Sequence, residues 1–434
     1  MTKLEELINE LCPDGVEYFT LEDITKAVNI GINPRKFFKL NPGDATGFYV
    51  TVRELNGLQG VVQTEKTDTI NDEAISIIQN RANIEIGDIL FSNTGTVGKM
   101  ALVIDTPTNW GVNEGIYVIK PNNKIVDSRY LYYYLASNLA YKQYSKKFTG
   151  STLKHVTQKA LMELQIPLPP LSIQSEIVHI LDSFTLLTAE LTAELTARQK
   201  QYAFYRDYLL DFSNEDVTKK IPDIDCSQVK TLRLDEVAQI YDGTHQTPNY
   251  KDSGIPFISV ENIKDIYGSK KYISEEDFNK YKIKPQINDV FMTRIGSIGD
   301  CAILDKQADL AYYVSLALIR PNTDIVISKY LKYVIESRFG RKELRKRTLV
   351  NAVPIKINKN DIGKIELPIP SFSVQENIVK ILDRFDKLNN DMSEGLPAEM
   401  EARKKQYEYY RDSLLSFDDK ACSHIVKVER ERES

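Results

Sequence analysis

The chain is written twice, and no other feature limits its folding so strongly. "VEYFTLEDI" (residues 16–24) returns as "VKTLRLDEV" (229–237), and "IGDILFSNTGTVGKMALV" (86–103) as "INDVFMTRIGSIGDCAIL" (287–304). "SRYLYYYL" (128–135) pairs with "SKYLKYVI" (328–335), and "IPLPPLSIQSEIVHILDSF" (166–184) with "LPIPSFSVQENIVKILDRF" (367–385). "ARQKQYAFYRDYLLDF" (197–212) closes the first copy as "ARKKQYEYYRDSLLSF" (402–417) closes the second. Copies about 200 residues apart are domains, not the short units of a solenoid. Each half therefore reads as a globular domain, a Pro-rich stop and a helix. Residues 30–80 and 240–280 share little, so one frame carries two different inserts.

The helices give the clearest periodicity. In the first copy apolar side chains fall at Ile173, Ile177, Ile180, Phe184, Leu187, Leu191, Leu195, Tyr202, Tyr205 and Leu209. In the second they fall at Val374, Ile378, Ile381, Phe385, Leu388 and Met392, then at Met400, Tyr407, Tyr410, Leu414 and Phe417. Steps of three and four are those of a coiled-coil seam. Pro167, Pro169 and Pro170 fix the first start. From residue 173 to 212 such a helix runs about 60 Å at ~1.5 Å per residue. Gly395 and Pro397 should break or kink the second helix. Where the second is interrupted, the first carries "LTAELTAELTAR" (187–198), a four-residue word in tandem. Two such helices in one chain predict an antiparallel intramolecular coiled coil; the alternative is that each packs on its own domain.

The expected fold is mixed α/β (α+β), with two pseudo-symmetric domains and two long helices. The boundaries expected are 1–172 (with an N-terminal helix at about 2–11), 173–212, 213–372, 373–417 and a tail at 418–434. Within the domains, alternation at 73–79 reads as a strand, and "SRYLYYYL" as a helix capped by Ser128. The two Gly-x-x-Gly segments read as hairpin turns where φ > 0 is needed.

Composition excludes several functions. At 42% apolar and 27% charged the chain is ordinary for a globular protein. No apolar run approaches the ~18 residues of a membrane span. "MTKLEELINEL" lacks the apolar core of a secretory signal, which points to the cytoplasm. Cys12, Cys226, Cys301 and Cys422 are scattered and expected to be free thiols; Cys422 with His424 makes a weak metal case. "TGTVGKM" misses a phosphate loop at Asn93 and Met100, and Asp300 replaces the lysine in its twin. No methyltransferase clamp, no F-x-G-x-G loop, no Glu-x-Lys nuclease motif and no H-E-x-x-H is present. A binding module is expected, without metal or cofactor of its own.

The positive signals are for nucleic acid. "RKELRKR" (341–347) has five basic residues in seven. Its twin "YKQYSKKF" (141–148) keeps Lys142, Lys146 and Lys147 and interleaves tyrosines. Basic residues at such spacing line one helix face toward phosphates; a merely solvated face is the plain alternative. Polar loops nearby offer side chains that read base edges. The candidates are Thr51, Arg53, Asn93, Thr94, Lys142, Lys146, Lys147, Ser151, Thr152, Lys154 and His155 in the first copy. In the second they are Thr244, His245, Gln246, Asn249, Tyr250, Asn262, Arg294, Ser297, Lys342, Arg345, Lys346, Arg347, Asn351 and Lys356.

The duplicated "IPLPPLSIQSEIVHILDSF", the duplicated "QKQYAFYRDYLL", "YDGTHQTPNY" and the tandem "TAEL" together resemble the specificity subunits of type I restriction–modification systems. The resemblance covers essentially the whole chain. It implies two target recognition domains held apart by the helices, each reading half of a split, asymmetric site in double-stranded DNA. It also implies two methyltransferase subunits docked on the helices, which use S-adenosylmethionine, and restriction subunits that use ATP and Mg. This chain would be non-catalytic. A coiled-coil scaffold that never touches DNA, or an enzyme with an unrecognised site, remain the rival readings. Each "TAEL" would lengthen its helix by about 6 Å and turn it roughly 40° beyond a full turn. Against DNA steps of about 3.4 Å, one unit would change the gap between half-sites by about one to two base pairs.

Overall fold

The structure is a computed structural model that describes residues 3–34, 37–150, 153–212, 229–390 and 396–417. The chain divides into two compact units. One comprises residues 1–190 with 400–434, the other residues 191–399.

In the first unit a four-stranded antiparallel sheet runs in the order Thr25–Ile30, Ile116–Pro121, Ile89–Ser92, Met100–Leu102. All six residues of Ile116–Pro121 are buried. A three-stranded sheet, Thr69–Ile70, Gly47–Val50 and Trp110–Val112, contains one parallel pair. A short ribbon joins Tyr18–Thr20 to Gln165–Pro167. The second unit repeats all three. Its four-stranded sheet is Ala238–Asp242, Leu316–Pro321, Val290–Thr293, Cys301–Ile303, its ribbon Lys230–Arg233 with Glu366–Ile369. Its three-stranded sheet is Tyr272–Ile273, Ile255–Ile258, Ala311–Tyr312, again with one parallel pair. The inserts that share little sequence thus share their strand order.

Several local expectations are corrected. Residues 73–79 are not a strand but lie in the helix Asp72–Ala82. Asn71 accepts a hydrogen bond from the Ala74 amide, and the buried Ala74, Ile75, Ile78 and Ala82 follow helical spacing. The helix Ser128–Leu135 is capped by Asp127, whose carboxylate accepts from the Arg129 and Tyr130 amides, not by Ser128. Pro397, expected to break or kink the second helix, sits in the first turn of the described helix Leu396–Ser416, where its missing N–H costs nothing. The preceding helix is Phe372–Asn390; Gly395 and Met392 lie outside the described residues.

The first long helix is unbroken over 39 residues, Leu171–Leu209, about 58 Å at ~1.5 Å per residue. Its start belongs to the first unit, where Ile173 and Ile177 are fully buried and Phe184 stacks on Tyr410 with centroids 5.3 Å apart. Its end belongs to the second unit, whose core takes in Tyr202, Leu209 and Leu210. There Tyr205 stacks on Phe385, also at 5.3 Å, while Val374 and Ile378 are buried. Conversely, Leu414 and Leu415 join the core of the first unit, with the half-buried Tyr407 packed against it. Each unit is therefore completed by the end of a helix that does not start in it. Simple packing of each helix on its own domain is excluded, because the two ends of the first long helix enter the cores of different units. Between these seats Leu187, Leu191 and Leu195 form one half-buried stripe with exposed Glu190 and Glu194 beside it.

The same side chains fix both helix starts. Gln174 is fully buried; its amide donates to the Ile125 and Pro169 carbonyls (2.9 and 2.7 Å), and its oxygen accepts from the Asp127 amide at 2.8 Å. Gln375, also fully buried, donates to the Ile325 and Pro370 carbonyls (3.0 and 2.9 Å) and accepts from the Ile327 amide at 2.9 Å. The helix ends carry their own latch. Asp207 accepts from the Arg338 amide at 2.8 Å, and Asp412 from the Asn138 amide at 3.2 Å. Each carboxylate thus meets the N-terminus of a basic helix, where negative charge is favoured.

Candidate nucleic-acid interface

In each unit three segments meet at one edge: the Gly-x-x-Gly turn, the basic helix, and the loop that follows that helix. In the first unit the turn joins Ile89–Ser92 to Met100–Leu102, with Gly95 and Gly98 at φ +75° and +89°. The helix Asn138–Ser145 packs so close that a Cβ on Gly98 would lie 2.3 Å from the Tyr144 hydroxyl. The following loop is stitched to the turn: Gly95 N donates to Lys154 O at 2.9 Å, and Val156 N to Asn93 O at 3.0 Å. Thr94 Oγ1 donates to Asn93 Oδ1 at 2.6 Å and lies 2.9 Å from His155 Nδ1.

The second unit repeats the stitching with other residues. Gly296 N donates to Ile355 O at 2.9 Å, Ile357 N to Arg294 O at 3.0 Å, and Leu349 N to Lys356 O at 2.8 Å. A Cβ on Gly299 would meet Leu344 of the helix Arg338–Arg347 at 2.6 Å. The turns are therefore hairpins; Gly98 and Gly299 serve close approach of the basic helix, while Gly95 and Gly296 serve the turn's positive φ.

The candidates divide by exposure. Lys142, Lys146 and Lys154 are exposed along the first edge, Lys154 standing 5.7 Å from the Phe148 ring centre. Lys147 is half-buried and pairs with Glu163 at 2.7 Å. Ser151 and Thr152 lie outside the described residues. On the second edge Ser297, Lys342, Arg345, Lys346, Asn351 and Lys356 are exposed. Lys346 and Arg347 both bind the buried Glu343, Arg347 at 2.9 Å. Burial works against that carboxylate, but hydrogen bonds from Lys346 and Arg347 hold it below its ordinary range. Arg341 pairs with Asp300 at 2.5 Å, so three of the basic run's five charges are committed locally and Lys342 and Arg345 are left to face solvent.

Two candidates are corrected outright. Asn93 is 1% exposed, with its amide hydrogen-bonded to the Glu114 carbonyl at 3.0 Å. Arg294 is 6% exposed; it pairs with Asp242 and donates to the Ile357 carbonyl. Both brace the edge from beneath: each lies one residue beyond a buried strand, and its side chain is taken up by carbonyls of neighbouring segments. Their polarity had suggested a surface role; burial is not visible in residue type.

The inserts supply the rest. Thr51 donates to the buried Glu54 at 2.7 Å, and the exposed Arg53 lies 3.4 Å from Asp68. Lys99 reaches from the turn to the Val52 carbonyl at 2.7 Å, which ties the first insert to the edge. Lys99 stands at the lysine position of the rejected phosphate loop, and such a tether leaves no short motif in the sequence. In the second unit His245, Gln246, Asn249 and Tyr250 are exposed and Thr244 half-buried, its amide donating to Tyr312 O at 3.1 Å. Thr244, Gln246 and Asn249 line a cleft of about 790 Å³ with Tyr281, Lys282 and Lys359. Asn262 is turned to local use, its side chain accepting from the Ser259 amide at 3.1 Å. Among the described residues no cluster of His, Cys, Asp or Glu could hold a metal ion, and no helix is long and apolar enough to cross a membrane. Cys12 and Cys301 are free thiols; Cys226, Cys422 and His424 lie outside the described residues. Each edge thus places exposed cations beside exposed loop side chains.

The family model of the type I restriction modification DNA specificity domain matches twice, at residues 13–198 and 227–402. The chain belongs to that family. A type I restriction enzyme specificity subunit of Escherichia coli is 34% identical over 308 residues, 67% of this chain and 70% of that one. The fold agrees with solved structures. A chain of a type I restriction–modification system superposes with TM-score 0.57 at 19% identity, over 93% of this chain and 98% of that one. The S subunit of such a system from M. genitalium superposes with TM-score 0.51 at 16% identity, over 93% of this chain and 96% of that one. Both family matches run from a globular body into a long helix, so the duplication is one of whole specificity domains.

Proposed function

We propose that this chain is the DNA specificity subunit of a type I restriction–modification complex. Each unit reads one half of a bipartite, asymmetric duplex site through its basic edge and insert. The observation that carries this is the pair of equivalent edges, stitched alike but lined by different side chains: Thr94, Lys154 and His155 against Ile295, Ile355 and Lys356. One frame with two unlike surfaces is what reading two unlike half-sites requires. The helices set the gap between the half-sites and seat two methyltransferase subunits, which bind S-adenosylmethionine; restriction subunits with ATP and Mg join the same assembly. This chain binds none of these cofactors, performs no catalysis and works in the cytoplasm.

The test is an exchange. With methyltransferase partners supplied, the methylated adenines of the host DNA are mapped by single-molecule sequencing for the natural chain and for one whose residues 30–80 come from another family member. One half of the methylated site should change, while the other half and the gap stay as they were. A change in both halves, or methylation that ignores the insert, overturns the reading.

A further inference from the structure

The loop that leaves the second basic helix carries an apolar finger. Leu349, Val350, Val353 and Ile355 are 43, 60, 100 and 40% exposed, and Pro354 beside them is exposed too. Apolar residues this close together on a surface normally mark a contact. The finger is not loose at its base. Leu349 N donates to Lys356 O at 2.8 Å, Gly296 N to Ile355 O at 2.9 Å, and Ala352 N turns back to Leu349 O at 3.2 Å. Its surroundings are cationic. Lys342 and Arg345 stand exposed on the helix that feeds it, and Lys356 is exposed at its root.

This arrangement fits poorly with base-edge reading, since valine, isoleucine and proline offer nothing to hydrogen-bond. It fits equally poorly with plain solvation. Cations at the root draw phosphate backbones to the place where the apolar tip projects. An apolar side chain held between two strands of phosphate meets one complementary surface, the face of a base. Proteins that bend DNA use such wedges, giving up the stacking of one base step to gain contact.

We propose that the finger at residues 349–355 is a wedge that enters the duplex at the half-site read by the second unit, with Val353 against a base face, and partly unstacks one base step. This rests on the DNA-binding reading above. It adds a readout of deformability to that of base edges, so the opened step should matter to affinity even where no polar group touches it.

The assembled complex with methyltransferase subunits is the test object. Val350→Ser combined with Val353→Ser keeps the loop small and soluble and removes nothing from a core. Binding is measured to duplexes carrying 2-aminopurine at each position of that half-site, excluding the base that is modified. The natural complex should brighten the probe at one step. The double variant should lose that signal, bind about tenfold more weakly and keep the same half-site sequences. Equal fluorescence from both complexes overturns the wedge. Loss of methyltransferase subunits from the variant on gel filtration overturns it differently, making the finger a protein contact. A natural complex that binds no duplex takes down the DNA-binding reading and the wedge with it.

Discussion

Gln174 and Gln375 show how a single residue can hold a domain boundary. Each is sealed from water and satisfies one backbone amide and two carbonyls where the chain passes from sheet to long helix. Removing such a side chain strands three buried polar groups, each costing about 1–3 kcal/mol when unsatisfied and partly relieved by water. Gln375→Ala should therefore destabilise the second unit by about 2–4 kcal/mol, read as a fall in its urea midpoint, with little effect on the first. Glu343 makes a pH statement. Its folded pKa lies below its unfolded one, so its contribution is present above the ordinary carboxylate range and is lost as pH falls through the folded value. Acid titration of stability should show a loss below about pH 4.5 that Glu343→Gln abolishes. An identical acid profile in the variant would show that Lys346 and Arg347 do not depend on it.

At the scale of elements, the two helix seats differ in a way the repeat hides. In the first unit Tyr132 and Thr185 lie against Tyr407 of the incoming helix end, and Ala136 packs on the same core. In the second the equivalent positions are Lys332, Glu336 and Asp386, with Lys332 and Asp386 at 3.3 Å. Burial raises the Glu336 carboxyl, and Lys332 pulls it back. The incoming ends are nearly the same sequence, so the seats, not the ends, carry this difference. The basic helices divide their labour too. Because Lys346 and Arg347 are held by Glu343, phosphate contact falls to Lys342 and Arg345. Replacing both by alanine should weaken binding to all duplexes alike and lower the salt slope by about two, at ~0.9 per phosphate. A change in the half-site sequence itself would instead place these side chains on base edges.

At the scale of the whole molecule, one helix of 39 residues runs from the first unit into the second, and the second long segment is described as the helices Phe372–Asn390 and Leu396–Ser416. The tandem four-residue word lies wholly inside the unbroken helix, on a stretch where only Leu187, Thr188, Leu191 and Leu195 are half-buried and the rest is exposed. Thr196 bonds back to the Thr192 carbonyl at 2.9 Å, so threonine is absorbed without leaving the helix. Deleting residues 192–195 removes about 6 Å of helix. The accepted gap should shorten by about one to two base pairs while both half-sites stay the same, as methylation mapping would read. Altered half-sites would show that the stretch is no ruler.

The sequence by itself determined the duplication, the paired helices, their Pro-bounded starts and the family. These rest on local rules: helical period and helix stops act within a few residues and need no distant neighbour. It misread residues 73–79, whose alternation fits a strand as well as a helix until Asn71 is seen capping it. Only the tertiary structure decided that the dissimilar inserts share a strand order, that each unit is completed by the other helix's end, and that Asn93 and Arg294 are buried. Strand order comes from pairings such as Thr25–Ile30 with Ile116–Pro121, and burial from what the fold brings against a side chain. Both are properties of neighbours distant in sequence, which no short stretch of residues encodes.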